Sequence, residues 1–234
     1  MNILAIDTSG PVASCAVMVD GKIVHSIFMN HGLTHSETVM PAVDAAMEAS
    51  GLTCADMDVF AAVAGPGSYT GVRIGVCAAK GFAHAAGKKC VEIHALEALA
   101  MNFPYYAGTV CTILDARRGQ VYCAAIDTCS GRPTRVLADD ACLLEEFLAR
   151  LPAEGMLLFA GDGVRAFGAK VREILGERAL LAPENVCNLH SESVCLLAQD
   201  ESRWIAPREM RPVYLRAPQA ERERAERLKR EGKA

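Results

Sequence analysis

The sequence predicts an α/β protein of two related lobes, with mixed sheets flanked by helices. Three observations carry this reading. Short β-rich runs and helical segments follow one another in the order βββαβα, part of that order returns in the second half, and Pro104 and Gly108 punctuate the chain between the halves. With 234 residues the chain can bury one large core or two small ones.

Residues 3–7, 14–19 and 22–28 are β-rich runs, and Asp20-Gly21 between the second and third is a hairpin signal, so the chain opens as a three-stranded meander. Thr34 and Glu37 stand in the T-x-x-E spacing of a capping box. Val39, Val43 and Met47 then recur at helical spacing until Gly51 offers a left-handed cap. Pro41 has no amide hydrogen, which leaves open a kinked first turn or a regular helix starting near Met40. Residues 59–64 read as a buried strand, 65–71 (GPGSYTG) as a turn, and 72–86 as a helix ending at Gly87; a strand over 90–93 and a short helix over 94–101 follow. In the second half, 109–114, 121–127 and 134–137 read as strands, 143–151 as a helix, 156–160 as a strand, 164–175 and 189–198 as helices, and 211–216 (RPVYLR) as an extended segment. The expected division is 1–103, 104–216 and a charged tail over 217–234. In that tail Glu alternates with Arg or Lys, which suits a solvated helix with i,i+4 charge pairs better than an RNA-binding arm.

Composition narrows the function classes. Apolar residues make up 51% of the chain, mean hydropathy is +0.17 and the formal charge is −4, which excludes a disordered chain and a broadly basic nucleic-acid surface but leaves room for a local basic patch. No apolar run approaches the roughly 20 residues of a membrane span, and MNILAIDTSG lacks a basic leader, so a cytoplasmic protein is expected. Cys15, Cys77, Cys111, Cys123 and Cys195 lie in apolar runs and no C-x-x-C pair occurs, which points to reduced core residues and away from structural zinc.

Four features carry candidate chemistry. The turn over 65–71 follows a strand and leads into a helix, the setting in which free amides receive a phosphate. It lacks the Lys-Ser/Thr of a Walker loop, and a simple tight turn explains its glycines equally well. Gly71, Gly75, Ala79 and Ala83 form a stripe of small side chains that admits a close neighbour, either the protein's own sheet or a helix of another chain. Asp7-Thr8-Ser9 ends the first strand, where a carboxylate and two hydroxyls suit either a magnesium-phosphate group or a capped turn. His31 and His35 have metal-ligand spacing, but Gly32 and the Thr34 cap put them on a loop and helix start with no third ligand; His94 reads as a hydrogen-bonded packing residue. No G-x-S-x-G elbow or Cys-His signature supports a hydrolytic triad.

Six blocks in order, LAIDTS at 4–9, HSETVMP at 35–41, AGPGSYTGVRIGVCAAKGFA at 64–83, LDARRGQVY at 114–122, GDG at 161–163 and RPVYLR at 211–216, resemble the TsaB (YeaZ) family. The resemblance implies a two-lobed actin-like ATPase (ribonuclease H-like) fold of the sugar-kinase/Hsp70 superfamily. It also implies a non-catalytic subunit that binds the paralogous transferase TsaD, with the ATPase TsaE, for threonylcarbamoylation of adenosine 37 in ANN-decoding tRNAs. The tRNA is then met through the complex, and a homodimer forms when the chain is alone. TsaD carries a metal-binding H-x-x-x-H after the glycine-turn helix, and Ala95 and Leu99 occupy those positions here, so neither metal nor cofactor is expected. Arg117 and Arg118 replace the small residues of the second phosphate loop, which leaves Asp7, Thr8, Ser9, Ser68 and Asp115 as a vestigial nucleotide site. The family's partner surface, made by the two N-terminal helices, takes in His35, Val39, Val43, Met47, Gly71, Gly75 and Ala79. The competing expectation is an enzyme, a small actin-like kinase or ATPase or a glycoprotease-like hydrolase.

Overall fold

Asn2–Asp7 (β1), Ala13–Val19 (β2) and Lys22–Met29 (β3) form the expected antiparallel meander. Asp20 and Gly21 both take positive φ, 48° and 79°, as a two-residue hairpin of this hand requires. Val59–Gly65 (β4) pairs parallel to β1 and Lys89–His94 (β5) parallel to β4, giving the order β3-β2-β1-β4-β5. The second sheet repeats this plan. Thr109–Asp115 (β6), Gln120–Asp127 (β7) and Thr134–Leu143 (β8) form a meander, and Leu157–Ala160 (β9) and Ala179–Leu181 (β10) add in parallel, in the order β10-β9-β6-β7-β8. The structure is a computed structural model describing residues 1–216; the charged tail lies outside the described residues.

β8 runs on past residue 137 to Leu143, through Ala138-Asp139-Asp140. It is an edge strand, where charged side chains cost little, and Asp139 is bonded by Arg135 from the same strand.

His35–Ser50 (α1) is continuous through Pro41, so the helix starts well before Met40. The capping box does not close in the expected form: the Thr34 hydroxyl donates to the Glu37 carboxylate, and the Glu37 amide donates to the Thr34 carbonyl at 3.0 Å. Tyr69–Ala86 (α2) begins three residues earlier than periodicity indicates, because Ser68 caps it by accepting from the Gly71 amide at 3.2 Å. The other helices are Ala95–Ala100 (α3), Leu144–Arg150 (α4), Gly163–Leu175 (α5), Glu184–Cys187 (α6) and Ser191–Ala198 (α7).

Helices α1 and α2 cover one face of the first sheet over a core that includes Leu4, Ile6, Val17, Phe60 and Val76. The opposite face meets α3 and α7, and this core joins Ile3, Met18 and Val194 to Val110 and Ile126 of the second sheet. Helices α4 and α5 close the far side of the second sheet over Ile113, Phe147, Phe159 and Val171. The end of the described chain returns to the first lobe. Besides α7, Met210 is buried among the α1–α2 core, Ile205 exchanges two backbone hydrogen bonds with Cys90, and the Val213 amide donates to the Ala64 carbonyl at 2.7 Å. A cut between 103 and 104 therefore divides the strands of the two sheets but not the packing. Segment 211–216 is not a strand of either sheet and bends at residues 215–216. Cys15, Cys111, Cys123 and Cys195 are core residues, whereas Cys77 is exposed on α2. No helix of the described residues is long and apolar enough to cross a membrane.

Candidate functional site

β1 and β4 are parallel neighbours, so the turn that follows β4 folds back over the residues that end β1. Contact there is closer than any side chain permits. A Cβ on Gly67 would lie 2.3 Å from the Ser9 carbonyl oxygen, and one on Gly71 would lie 2.1 Å from that of Thr8. The Ser68 amide donates to the Ser9 carbonyl at 2.7 Å, and the Thr8 hydroxyl donates to the Gly71 carbonyl at 2.7 Å. Asp7, Thr8, Ser9 and Ser68 thus come together, with both hydroxyls of Thr8 and Ser68 bonded inside the chain. The glycines answer to the approach of the protein's own backbone.

Asp7 is 2% exposed and accepts from the Ser9 amide at 2.8 Å. Burial pushes its carboxyl up to about 6, against the lowering effect of the Ser9 and Thr8 amides and of His35. The His35 ring is hydrogen-bonded, Nε2 to the Gly10 carbonyl at 2.8 Å, and so ties the start of α1 to the loop after β1.

Asp115 belongs to the second sheet. Its amide donates to the Asp162 carboxylate at 2.9 Å, and its own carboxylate accepts from the Arg117 amide at 2.7 Å with the Arg117 guanidinium 3.5 Å away. Burial raises Asp162, which stands just before α5. One short stretch bridges the glycine turn and the β6–β7 turn: Val213 bonds Ala64, and the Arg216 guanidinium donates to the Ala116 carbonyl at 3.4 Å.

Most of the residues expected at or beside a partner surface pack against the protein's own sheet. Val39, Val43, Met47 and Ala79 are buried against the first sheet, Gly75 faces Thr8 and Ile6, and Gly71 faces Thr8 and Ser68. The stripe of small residues meets the protein's own sheet, because Thr8 and Ile6 leave no room for a Cβ. The outward side of the same helices carries Met40, Asp44, Cys77 and Gly81, with Ile74, Ala78 and Phe82 half-buried. Between them runs a groove of about 490 Å³ lined by Met40, Asp44, Leu52 and Phe82 and floored in part by Val43 and Met47. Periodicity held a signal for this face in Ile74, Ala78, Gly81 and Ala85, a second small and apolar stripe on α2.

Ala95 and Leu99 are fully buried. Next to them, His94 Nδ1 lies 3.2 Å from Asp139, which also binds the Arg135 guanidinium at 2.6 and 3.1 Å. Partial burial pushes the Asp139 carboxyl up, but the bonds from His94 and Arg135 outweigh it and hold the group at about 2. The pair links β5 of the first sheet to β8 of the second.

The family described as TsaD, tRNA N6-adenosine threonylcarbamoyltransferase, matches residues 31–203. The tRNA threonylcarbamoyladenosine biosynthesis protein TsaB of Bacillus subtilis (strain 168) is 30% identical over 222 residues, which cover 94% of this chain and 96% of that protein. TsaB of Escherichia coli (strain K12) is 29% identical over 228 residues, 92% of this chain and 95% of that one. Among solved structures, YeaZ from Pseudomonas aeruginosa aligns with a TM-score of 0.78 at 25% identity, covering 92% of this chain and 99% of that chain. Component A of the Acidaminococcus fermentans (R)-2-hydroxyglutaryl-CoA dehydratase, at 12% identity, TM-score 0.52 and 84% and 97% coverage, shares the fold alone. With the twofold βββαβα plan of an actin-like fold and matches of this extent, the chain belongs to the TsaB (YeaZ) family of tRNA threonylcarbamoyladenosine biosynthesis proteins.

Proposed function

We propose that this chain is a non-catalytic subunit of the assembly that forms threonylcarbamoyladenosine on tRNA, and that it acts by binding and activating a TsaD-like transferase. The observation that carries this reading is a likeness to the TsaD family over 31–203 combined with Ala95 and Leu99, buried hydrocarbon side chains with no donor atom to offer a metal. In this reading the partner docks on the outward face of α1 and α2. Gly81 supports that choice: a helical glycine costs about 1 kcal/mol relative to Ala, and a Cβ there meets nothing within 4 Å in the chain itself. Close approach of a partner helix compensates. A TsaE-like ATPase joins the pair, tRNA is met through the complex in the cytoplasm, and the same face pairs two copies of this chain when the transferase is absent. Met40→Glu and Gly81→Leu are expected to lower affinity for the TsaD-like partner at least tenfold without lowering the melting temperature. Wild-type affinity in both variants would sink the surface assignment.

The buried Asp7 carboxyl favours a second reading, that of a kinase or ATPase, since a magnesium-bound nucleotide would offset its desolvation. Purified protein with magnesium and ATP is expected to turn over more slowly than about 1 s⁻¹, below the ordinary enzyme range. Faster turnover, lost in Asp7→Ala, would establish the enzyme; peptide hydrolysis by the same sample would do so for the glycoprotease alternative.

A further inference from the structure

We propose that Cys123 and Cys142 form a site of reversible oxidative modification, closing into a disulfide across β7 and β8 when the chain meets a peroxide. The hairpin places the two thiols on one face: Cys123 stands opposite Asp140 and Cys142 opposite Val121, so the cysteines are diagonal neighbours. The diagonal of a flat ribbon, about 7–8 Å between Cα atoms, is too long for a disulfide. This ribbon is not flat. Beyond Cys123 the pairing moves to Ala125 opposite Leu137, which leaves Ala138 and Asp139 of β8 against Ala124 alone, and such a bulge sharpens the local twist. The two Sγ atoms lie 3.7 Å apart, both as free thiols, and small side-chain rotations on an edge strand bring them to the roughly 2 Å of a disulfide bond.

The two sulfurs differ in setting. Cys123 is fully buried, whereas Cys142 keeps 8% of its surface on the edge strand. The end of α4 adds a cation there: Arg150 Nη2 donates to the Cys142 sulfur at 3.2 Å, while its Nη1 meets the Asp140 carboxylate at 2.8 Å. Burial pushes both thiols up; at Cys142 the hydrogen bond with Cys123 and the Arg150 guanidinium oppose it, and the Asp140 and Glu146 carboxylates add to it. The pair therefore stays reduced until peroxide is in excess, and Cys142 is the sulfur that reacts first. Its thiolate attacks one peroxide oxygen, the O–O bond breaks, and the departing hydroxide takes a proton and leaves as water. The Cys123 sulfur then gives up its proton and attacks the sulfenic sulfur, the S–O bond breaks, and a second water leaves. Two electrons pass from the sulfurs to the peroxide, and a dithiol reductant returns them. Cys142 lies three residues along β8 from Asp139, which bonds His94 of β5, so closure fixes the edge strand that joins the two sheets at this point.

The test treats the full chain with hydrogen peroxide under native conditions, alkylates the remaining thiols and maps the peptides by tandem mass spectrometry. A Cys129→Ser background is used, because Cys129 shares a tryptic peptide with Cys123. A link between Cys123 and Cys142 is expected, with a mass lower by two hydrogens, a melting temperature raised by about 5 °C or more, and full reversal by dithiothreitol. Cys123→Ser and Cys142→Ser are each expected to lose the link and the rise together. A change at a buried position shifts stability in itself, so the rise is read for each variant as the difference between its own treated and untreated samples. Arg150→Ala is expected to slow closure about threefold or more, and an unslowed rate would remove Arg150 from the site. Oxidation of the exposed Cys77 with Cys123 and Cys142 still free would overturn the proposal. So would Cys142 oxidised without a link to Cys123, or a link that forms only in urea.

Discussion

Asp7 lowers the stability of the protein at neutral pH. Burial holds its carboxyl at about 6, against 3.8 for an unperturbed aspartate, so between these values the native state binds more protons than the unfolded chain. Stability therefore falls as pH rises through that window, by about 3 kcal/mol in total, and the loss is complete above pH 6. Asp7→Asn keeps an oxygen for the Ser9 amide and removes the charge. It is expected to raise the melting temperature at pH 7 and to flatten the fall between pH 4 and 7; an unchanged pH profile would contradict the assignment. The grouping of Asp7, Thr8 and Ser9 with Ser68 was legible only through the family resemblance; the parallel pairing of β1 with β4 is what brings them together. The use of the Thr8 hydroxyl to hold the Gly71 carbonyl was not legible, because it depends on a contact across 63 residues.

Helix α2 carries glycines with opposite jobs. At Gly71 a Cβ would strike the Thr8 backbone oxygen at 2.1 Å, and buried backbone just past the end of β1 cannot yield cheaply. Gly71→Ala is expected to destabilise by about 2 kcal/mol or more despite alanine's better helix propensity. At Gly81 the space is open, so Gly81→Ala is expected to stabilise the isolated chain by about 1 kcal/mol. Urea midpoints that move in the same direction for both variants would refute this division of the helix. Periodicity located the helix and its cap at Gly87, but it offers two small-residue stripes on α2. Only the position of Thr8 and Ile6 decides that Gly71, Gly75 and Ala79 face inward, and hence that enlarging Gly75 or Ala79 tests the fold and not a partner.

At the scale of the whole molecule the lobes are interleaved. Helix α7 follows the second sheet in sequence yet covers β1 and β2, and Met210 completes the core on the other face of the same sheet. A fragment of residues 1–103 lacks both, and leaves the face bearing Ile3, Ala5 and Met18 open. It is expected to bind a hydrophobic dye and to melt without a cooperative transition, whereas the chain with its C-terminal segment melts sharply; a sharply melting fragment would show that the first lobe stands alone. The sequence by itself determined the strand and helix order, the Asp20-Gly21 hairpin, the left-handed caps at Gly51 and Gly87 and the family blocks. These depend on local backbone preference and on periods of two and 3.6 residues, which the chain carries in itself. Tertiary structure alone decided which side of α1 and α2 is outward, that β8 runs on through Asp139 to Leu143, that the three residues of β10 pair at all, and that α7 and segment 213–216 return to the first lobe. Each of these is set by contacts between residues far apart in the chain, whose gain in buried surface and paired charge overrides the local signal.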